Sequence, residues 1–110
     1  MTVEEIAHKL NLTVVSGTGG INNEITGGYV SDLLSDVMGH SRQGQVWITL
    51  QTHKNVMAIA SLKDLAAIII VKGFQPDDDT VQQSDIEHIP ILSTQNQAFE
   101  TAGLLFNLIR

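Results

Sequence analysis

Four histidines, His8, His40, His53 and His88, are the first places to look for acid–base or metal chemistry. None stands four residues from another or within a His-x-x-Glu-His arrangement. The spacing that would turn two imidazoles toward one metal is therefore missing. Asp77-Asp78-Asp79 lacks the spaced oxygen ligands and glycine of a calcium loop; after Pro76 it suits the positive end of a helix instead. Gly17-Thr18-Gly19-Gly20 has neither the lysine of a Walker loop nor the Gly-x-Gly-x-x-Gly run of a dinucleotide fingerprint, and is expected to be a flexible connector. The chain has no cysteine, which excludes a disulfide framework, a thiolate zinc site, an iron–sulfur cluster and a cysteine nucleophile. There is no Gly-x-Ser-x-Gly elbow. No catalytic residue, metal ligand or cofactor is assigned, and the chain is not expected to be an enzyme.

What remains is a set of small polar residues that each follow a predicted strand: Ser31-Asp32, Thr52-His53-Lys54-Asn55, Lys72-Gly73 and Ser93-Thr94. In open α/β sheets, ligands bind outside the carboxyl ends of the strands. Ser31, Asp32, Thr52, His53, Asn55, Lys72 and Thr94 are accordingly the candidate ligand-binding residues. Together they offer hydroxyls, an amide, a carboxylate and a cation, a mixture suited to a polar or phosphorylated small molecule. The competing reading is local: Ser31, Asp32, Thr52, Asn55, Ser93 and Thr94 are all good helix N-caps.

The elements that must position them alternate along the chain. Thr2 and Glu5 form a capping-box pattern ahead of a helix over Val3–Leu10, with Ile6 and Leu10 on one face. Leu12–Val15 reads as a short strand. Tyr29–Ser31 is β-leaning, and Ser31 or Asp32 can cap a helix carrying Leu33, Leu34, Val37 and Met38, closed by Gly39. In Gln45–Leu50, Val46, Ile48 and Leu50 share one side and Trp47 and Thr49 the other. Trp47 is either buried under a helix or part of an interface, and its spacing leaves both open. Asn55–Leu62 has helical spacing, with Met57, like Met38, on an apolar face.

Ala66–Val71 is a continuous β-branched run of the kind covered on both faces in parallel sheets. A helix after Pro76 has only Val81 and Ile86 as apolar contacts. Ile89–Leu92 is a strand whose Pro90 points to an edge or first-residue position. A last helix over Gln95–Ile109 sets Phe99, Ala102, Gly103, Phe106 and Ile109 in one apolar stripe. Strand–helix alternation from Tyr29 onward predicts an α/β fold: a mainly parallel sheet of about four to five strands flanked by helices.

At 110 residues the chain has the size of one domain, taken as 1–110. It is 43% hydrophobic and only 16% charged, which leaves apolar surface for an interface, and a homodimer is expected. A net charge of −6, with Lys54, Lys63 and Lys72 scattered rather than clustered, argues against nucleic acid. The longest apolar run, Leu65–Val71, is far short of the ~20 residues that span a bilayer. The acidic N-terminus lacks a signal-peptide pattern. No membrane association and a cytoplasmic location are expected.

Two stretches, Ile25-Thr26-Gly27-Gly28-Tyr29-Val30-Ser31-Asp32-Leu33-Leu34-Ser35-Asp36-Val37-Met38 and Gly44–Asn55, resemble the DRTGG domain. The likeness continues through Ala66–Gly73 and Ile89–Thr94 and covers roughly Asn22–Leu108. The name-giving letters are largely replaced. His53-Lys54 stands where Asp-Arg would fall, and Val71-Lys72-Gly73 where Thr-Gly-Gly would follow. The resemblance implies a fold related to the N-terminal domain of HPr kinase/phosphatase. It also implies a regulatory or dimer-forming role, as in relatives inserted in phosphotransacetylases and in some pyrophosphatases beside nucleotide-sensing CBS modules. The resulting expectation is a non-catalytic regulatory domain that binds a small polar or nucleotide-like ligand at the C-terminal ends of the strands, as a dimer. A protein-interaction module without a small-molecule ligand is the alternative.

Overall fold

A computed structural model describes residues 1–110. The elements run α1 (Val3–Lys9), β1 (Thr13–Ser16), β2 (Gly27–Val30), α2 (Leu34–His40), β3 (Gln45–Thr49), α3 (Asn55–Leu62), β4 (Ala67–Ile70), α4 (Asp78–Glu87), β5 (Ile91–Ser93) and α5 (Ala98–Ile109). They form one five-stranded sheet in the order β1-β5-β4-β3-β2. The strands β2, β3, β4 and β5 are parallel, with Gly28 opposite Val46 and Val46 opposite Ala67. The expected mainly parallel α/β architecture is the one observed. β1 adds to β5 antiparallel, and its register slips between Val14 and Ser16.

Alternation along the strands divides the core between two faces. Val46, Ile48, Ala67, Ile69 and Leu92 meet Val3 and Ile6 of α1 and Leu105 of α5. Trp47, Ile68 and Ile70 point the other way, onto Val37 of α2 and Val56, Met57 and Ala60 of α3. Ile68, Ile69 and Ile70 are fully buried, and each stabilises the fold by about 1.5–3 kcal/mol relative to an exposed side chain. Trp47 is buried too, and its indole N–H donates to the Ser31 carbonyl at 2.7 Å. The capping box of α1 forms as its sequence predicts: Glu5 N–H donates to Thr2 Oγ1, and Thr2 N–H to Glu5 Oε1.

Several expectations are corrected. Pro90 directly precedes β5, which lies inside the sheet, so the edge alternative fails and β1 takes that edge. Helix α4 reaches its neighbours through hydroxyls rather than apolar side chains. Ile86 of α4 is exposed, while the buried residues are Thr80 and Ser84. Thr80 Oγ1 donates to the Thr52 carbonyl, Ser84 Oγ to the Ile89 carbonyl, and Ser16 Oγ to Ser84 Oγ. The glycine loop is a pinned turn rather than a flexible connector. Gly17 has φ +72°, its N–H donates to Asp85 Oδ1 at 2.7 Å, and a Cβ there would collide with the Ile89 carbonyl. Met57 is core, but Met38 is exposed.

The last helix departs most from its sequence. It begins at Ala98, not Gln95, and its buried residues are Thr101 and Leu105. Phe99 and Phe106, the large members of the predicted stripe, are 87% and 66% exposed. Helical periodicity identifies a stripe without saying whether the sheet or another molecule covers it.

Candidate functional site

The carboxyl ends of β2, β3 and β4 open toward the start of α5. Ser31 and Asp32 follow β2, Leu50 follows β3, and Val71-Lys72 follow β4. With Gln97, Ala98 and Phe99 of α5 they border a cavity of about 250 Å³. Ser31, Asp32 and Lys72 thus border one cavity.

Lys72 has φ +61°, an uncommon conformation for a residue with a side chain. It is held by its N–H donating to the Asn96 carbonyl, while the next N–H, of Gly73, donates to the Thr94 carbonyl. Those two bonds splice the β4 end to the approach of α5. The ammonium is exposed and forms no ion pair. Gln97, the N-cap of α5, supplies no side-chain cap. The first turn of α5 is thus without a side-chain cap, and its Ala98 and Phe99 border the cavity together with the unpaired Lys72, a combination that attracts anions.

Asp32 is half committed to the fold. Its Oδ1 accepts from Thr49 Oγ1 and from Leu50 N–H, both at 2.8 Å, and its carbonyl accepts from Gln51 Nε2. The second carboxylate oxygen has no protein donor and can accept from a ligand hydroxyl. Ser31 Oγ accepts from Leu33 N–H at 3.1 Å. Nearby, the Tyr29 hydroxyl donates to Asp36 Oδ2 at 2.9 Å. That bond, with a contribution from Ser31, holds the Asp36 carboxyl below its ordinary pKa. Desolvation first, and then Asp36, push the Tyr29 hydroxyl up.

The other predicted site residues lie elsewhere. The Thr52 carbonyl accepts from Asp77 N–H and from Thr80 Oγ1, tying the β3–α3 loop to α4. His53 Nδ1 lies 2.9 Å from Asp77 Oδ2, an exposed pair of the kind worth about 0–1 kcal/mol. Asn55 opens α3 on the surface. Thr94 Oγ1 accepts from Asn96 N–H and turns the chain toward α5 without bordering the cavity. The capping alternative does not describe these residues either, since α2, α3 and α5 carry no side-chain cap. Sequence reasoning missed Gln97 and Phe99 as cavity residues, because it began the helix three residues too early. No three His, Asp or Glu residues are placed to hold a metal ion.

A mainly parallel five-stranded sheet flanked by helices places the chain among α/β domains. Within that class the chain belongs to the DRTGG domain family, whose model matches residues 5–108. It is similar to the uncharacterized protein YtoI of Bacillus subtilis, at 24% identity over 109 residues; the match covers 96% of this chain and 24% of YtoI. Among solved structures it resembles the CBS and DRTGG domains of the regulatory region of Clostridium perfringens pyrophosphatase, complexed with its activator diadenosine tetraphosphate. That match has a TM-score of 0.72 at 14% identity, and covers 94% of this chain and 45% of the other. The chain spans less than half the length of either relative. No helix is long and apolar enough to cross a membrane.

Proposed function

We propose that this chain is a non-catalytic regulatory domain that binds a small phosphorylated, nucleotide-like ligand at the carboxyl ends of its strands and works as a dimer. The observation that carries the reading is the convergence of Lys72, Asp32, Ser31 and the uncapped start of α5 on one cavity. A phosphate would lie between the Lys72 ammonium and the first amides of α5. A hydroxyl of the ligand would donate to the free oxygen of Asp32. The structural likeness to a regulatory region that binds a dinucleotide activator supports the same class of ligand.

A thermal-shift panel of adenine and guanine nucleotides, dinucleotides and acetyl phosphate tests it. A ligand held at about 100 times its dissociation constant stabilises by ~2.7 kcal/mol, which raises the midpoint on the order of 10 °C for a domain of this size. A flat panel overturns the ligand reading. It would favour a module that acts through protein contacts alone, which the exposed aromatic rings of α5 would serve.

A further inference from the structure

The outer face of α5 carries a second, larger feature. Phe99 and Phe106 project from it almost bare, Leu104 is 46% exposed, and Val30 at the neighbouring sheet edge is 53% exposed. Between the helix and the sheet runs a groove of about 990 Å³, floored by Gly28, Val30 and Ile48. Glu100 is the one charged residue among those that line it.

We infer that this face is the surface on which a second copy of the chain docks. The patch holds both the projections and the hollows that an isologous contact needs. Phe99, Gly103 and Phe106 lie at helical spacing, and nothing occupies the space within 4 Å of a Cβ built on Gly103. Over Gly28, on the floor of the groove, the space is already taken by Leu105 of the same chain. A phenylalanine of one copy can therefore enter the hollow over Gly103 of the other, and the reverse.

Size points the same way. The two rings alone expose on the order of 300 Å², and Val30 and Leu104 line the same groove. A monomer rarely leaves more than a few hundred Å² of contiguous apolar surface bare, and a stable pair needs ~800 Å² from each partner. Charge selects the face, because two copies that each carry −6 repel one another except where a surface is nearly neutral. β2 is also an edge strand, so the docked copy would cover an unpaired sheet margin.

The inference deepens the dimeric part of the proposed function. Val30, Ile48, Ala98 and Phe99 border both the groove and the strand-end cavity. The second copy would wall that cavity, leaving the ligand site incomplete in a monomer.

Sedimentation equilibrium from micromolar to submillimolar concentration decides it, using the parent, Phe106→Glu, Leu104→Glu and, as a control on the opposite face, Ile86→Glu. Far-UV circular dichroism establishes that each variant is folded, and Leu104→Glu decides if Phe106→Glu does not fold. The expected result is a dimeric parent, a dissociation constant raised about 30-fold or more by an α5 variant, and no change with Ile86→Glu. A monomeric parent overturns the interface, as does a dimer indifferent to both α5 variants. The nucleotide panel, run on the same samples, separates the two ideas. A monomer that responds to a nucleotide loses the interface and keeps the ligand. A dimer that depends on Phe106 and ignores every nucleotide does the reverse.

Discussion

Asp32 and Thr49, seventeen positions apart, are joined by a 2.8 Å hydrogen bond that ties the end of β2 to the end of β3. The same carboxylate oxygen takes the Leu50 N–H at 2.8 Å, so one side chain closes two donors, one of them on the almost fully buried Thr49. A residue chosen as a ligand contact is therefore also a brace for the wall of its own cavity.

Replacing Asp32 by Ala should destabilise the fold by about 1–3 kcal/mol, because the Thr49 hydroxyl loses its acceptor inside the protein. Urea unfolding of the parent and variant measures it. An unchanged midpoint would mean that the carboxylate is dispensable to the wall and free for a ligand.

Lys72→Ala should abolish most of the thermal shift given by a nucleotide that stabilises the parent, whereas His53→Ala and Asn55→Ala should leave it intact. The division follows from geometry: Lys72 borders the cavity, and the other two stand outside it beside α3 and α4. Equal losses from all three variants would place the ligand elsewhere on the sheet end.

Tyr29 is the single tyrosine of the chain, so the change in tyrosinate absorbance with pH reports its ionisation alone. Desolvation and the bond to Asp36 raise its pKa above 10.0. Its contribution to stability is thus present below the unfolded value and lost as pH rises through the folded one. Asp36→Asn should bring the titration part of the way back, since desolvation, the larger cause, remains. Asp36 itself has the opposite sign. Its folded pKa lies below 3.8, so its contribution is present above that value and lost as pH falls through the folded one. The thermal midpoint of Asp36→Asn should accordingly fall less steeply than that of the parent in acid. A Tyr29 titration indifferent to Asp36→Asn would remove the basis for both statements.

Two glycine substitutions should move stability in opposite directions. Gly17→Ala forces a side chain into a left-handed conformation and against the Ile89 carbonyl, and should cost about 1–3 kcal/mol. Gly39→Ala meets nothing within 4 Å inside α2 and should stabilise by about 0.5–1 kcal/mol. Chemical denaturation of the pair gives both signs. Equal effects would contradict the pinned turn at Gly17.

The sheet was legible because its central strands are written in β-branched residues. Ala67–Ile70 has no polar position that a solvent-facing strand would need, so coverage on both faces followed from composition. Capping in α1 was equally local, since Thr2 and Glu5 carry it between them. The site was only partly legible, because hydrogen bonds over long separations decide it. Nothing near Asp32 announces Thr49, and nothing near Thr52 announces Thr80. The face of α5 was misassigned for a related reason. Phe99 and Leu105 are equally apolar in sequence, and only the position of Gly28 under Leu105 shows which of them meets the sheet.

The two margins of the sheet are unlike. β2 is a parallel margin flanked by exposed apolar residues, while β1 runs antiparallel and slips register between Val14 and Ser16. A strand so interrupted is a poor template for a further neighbour. The pairing proposed above would use up the one adhesive margin of each molecule and leave two blunted ones facing outward. Growth would then stop at a pair, and the bare aromatic rings would carry no hazard of open-ended fibres.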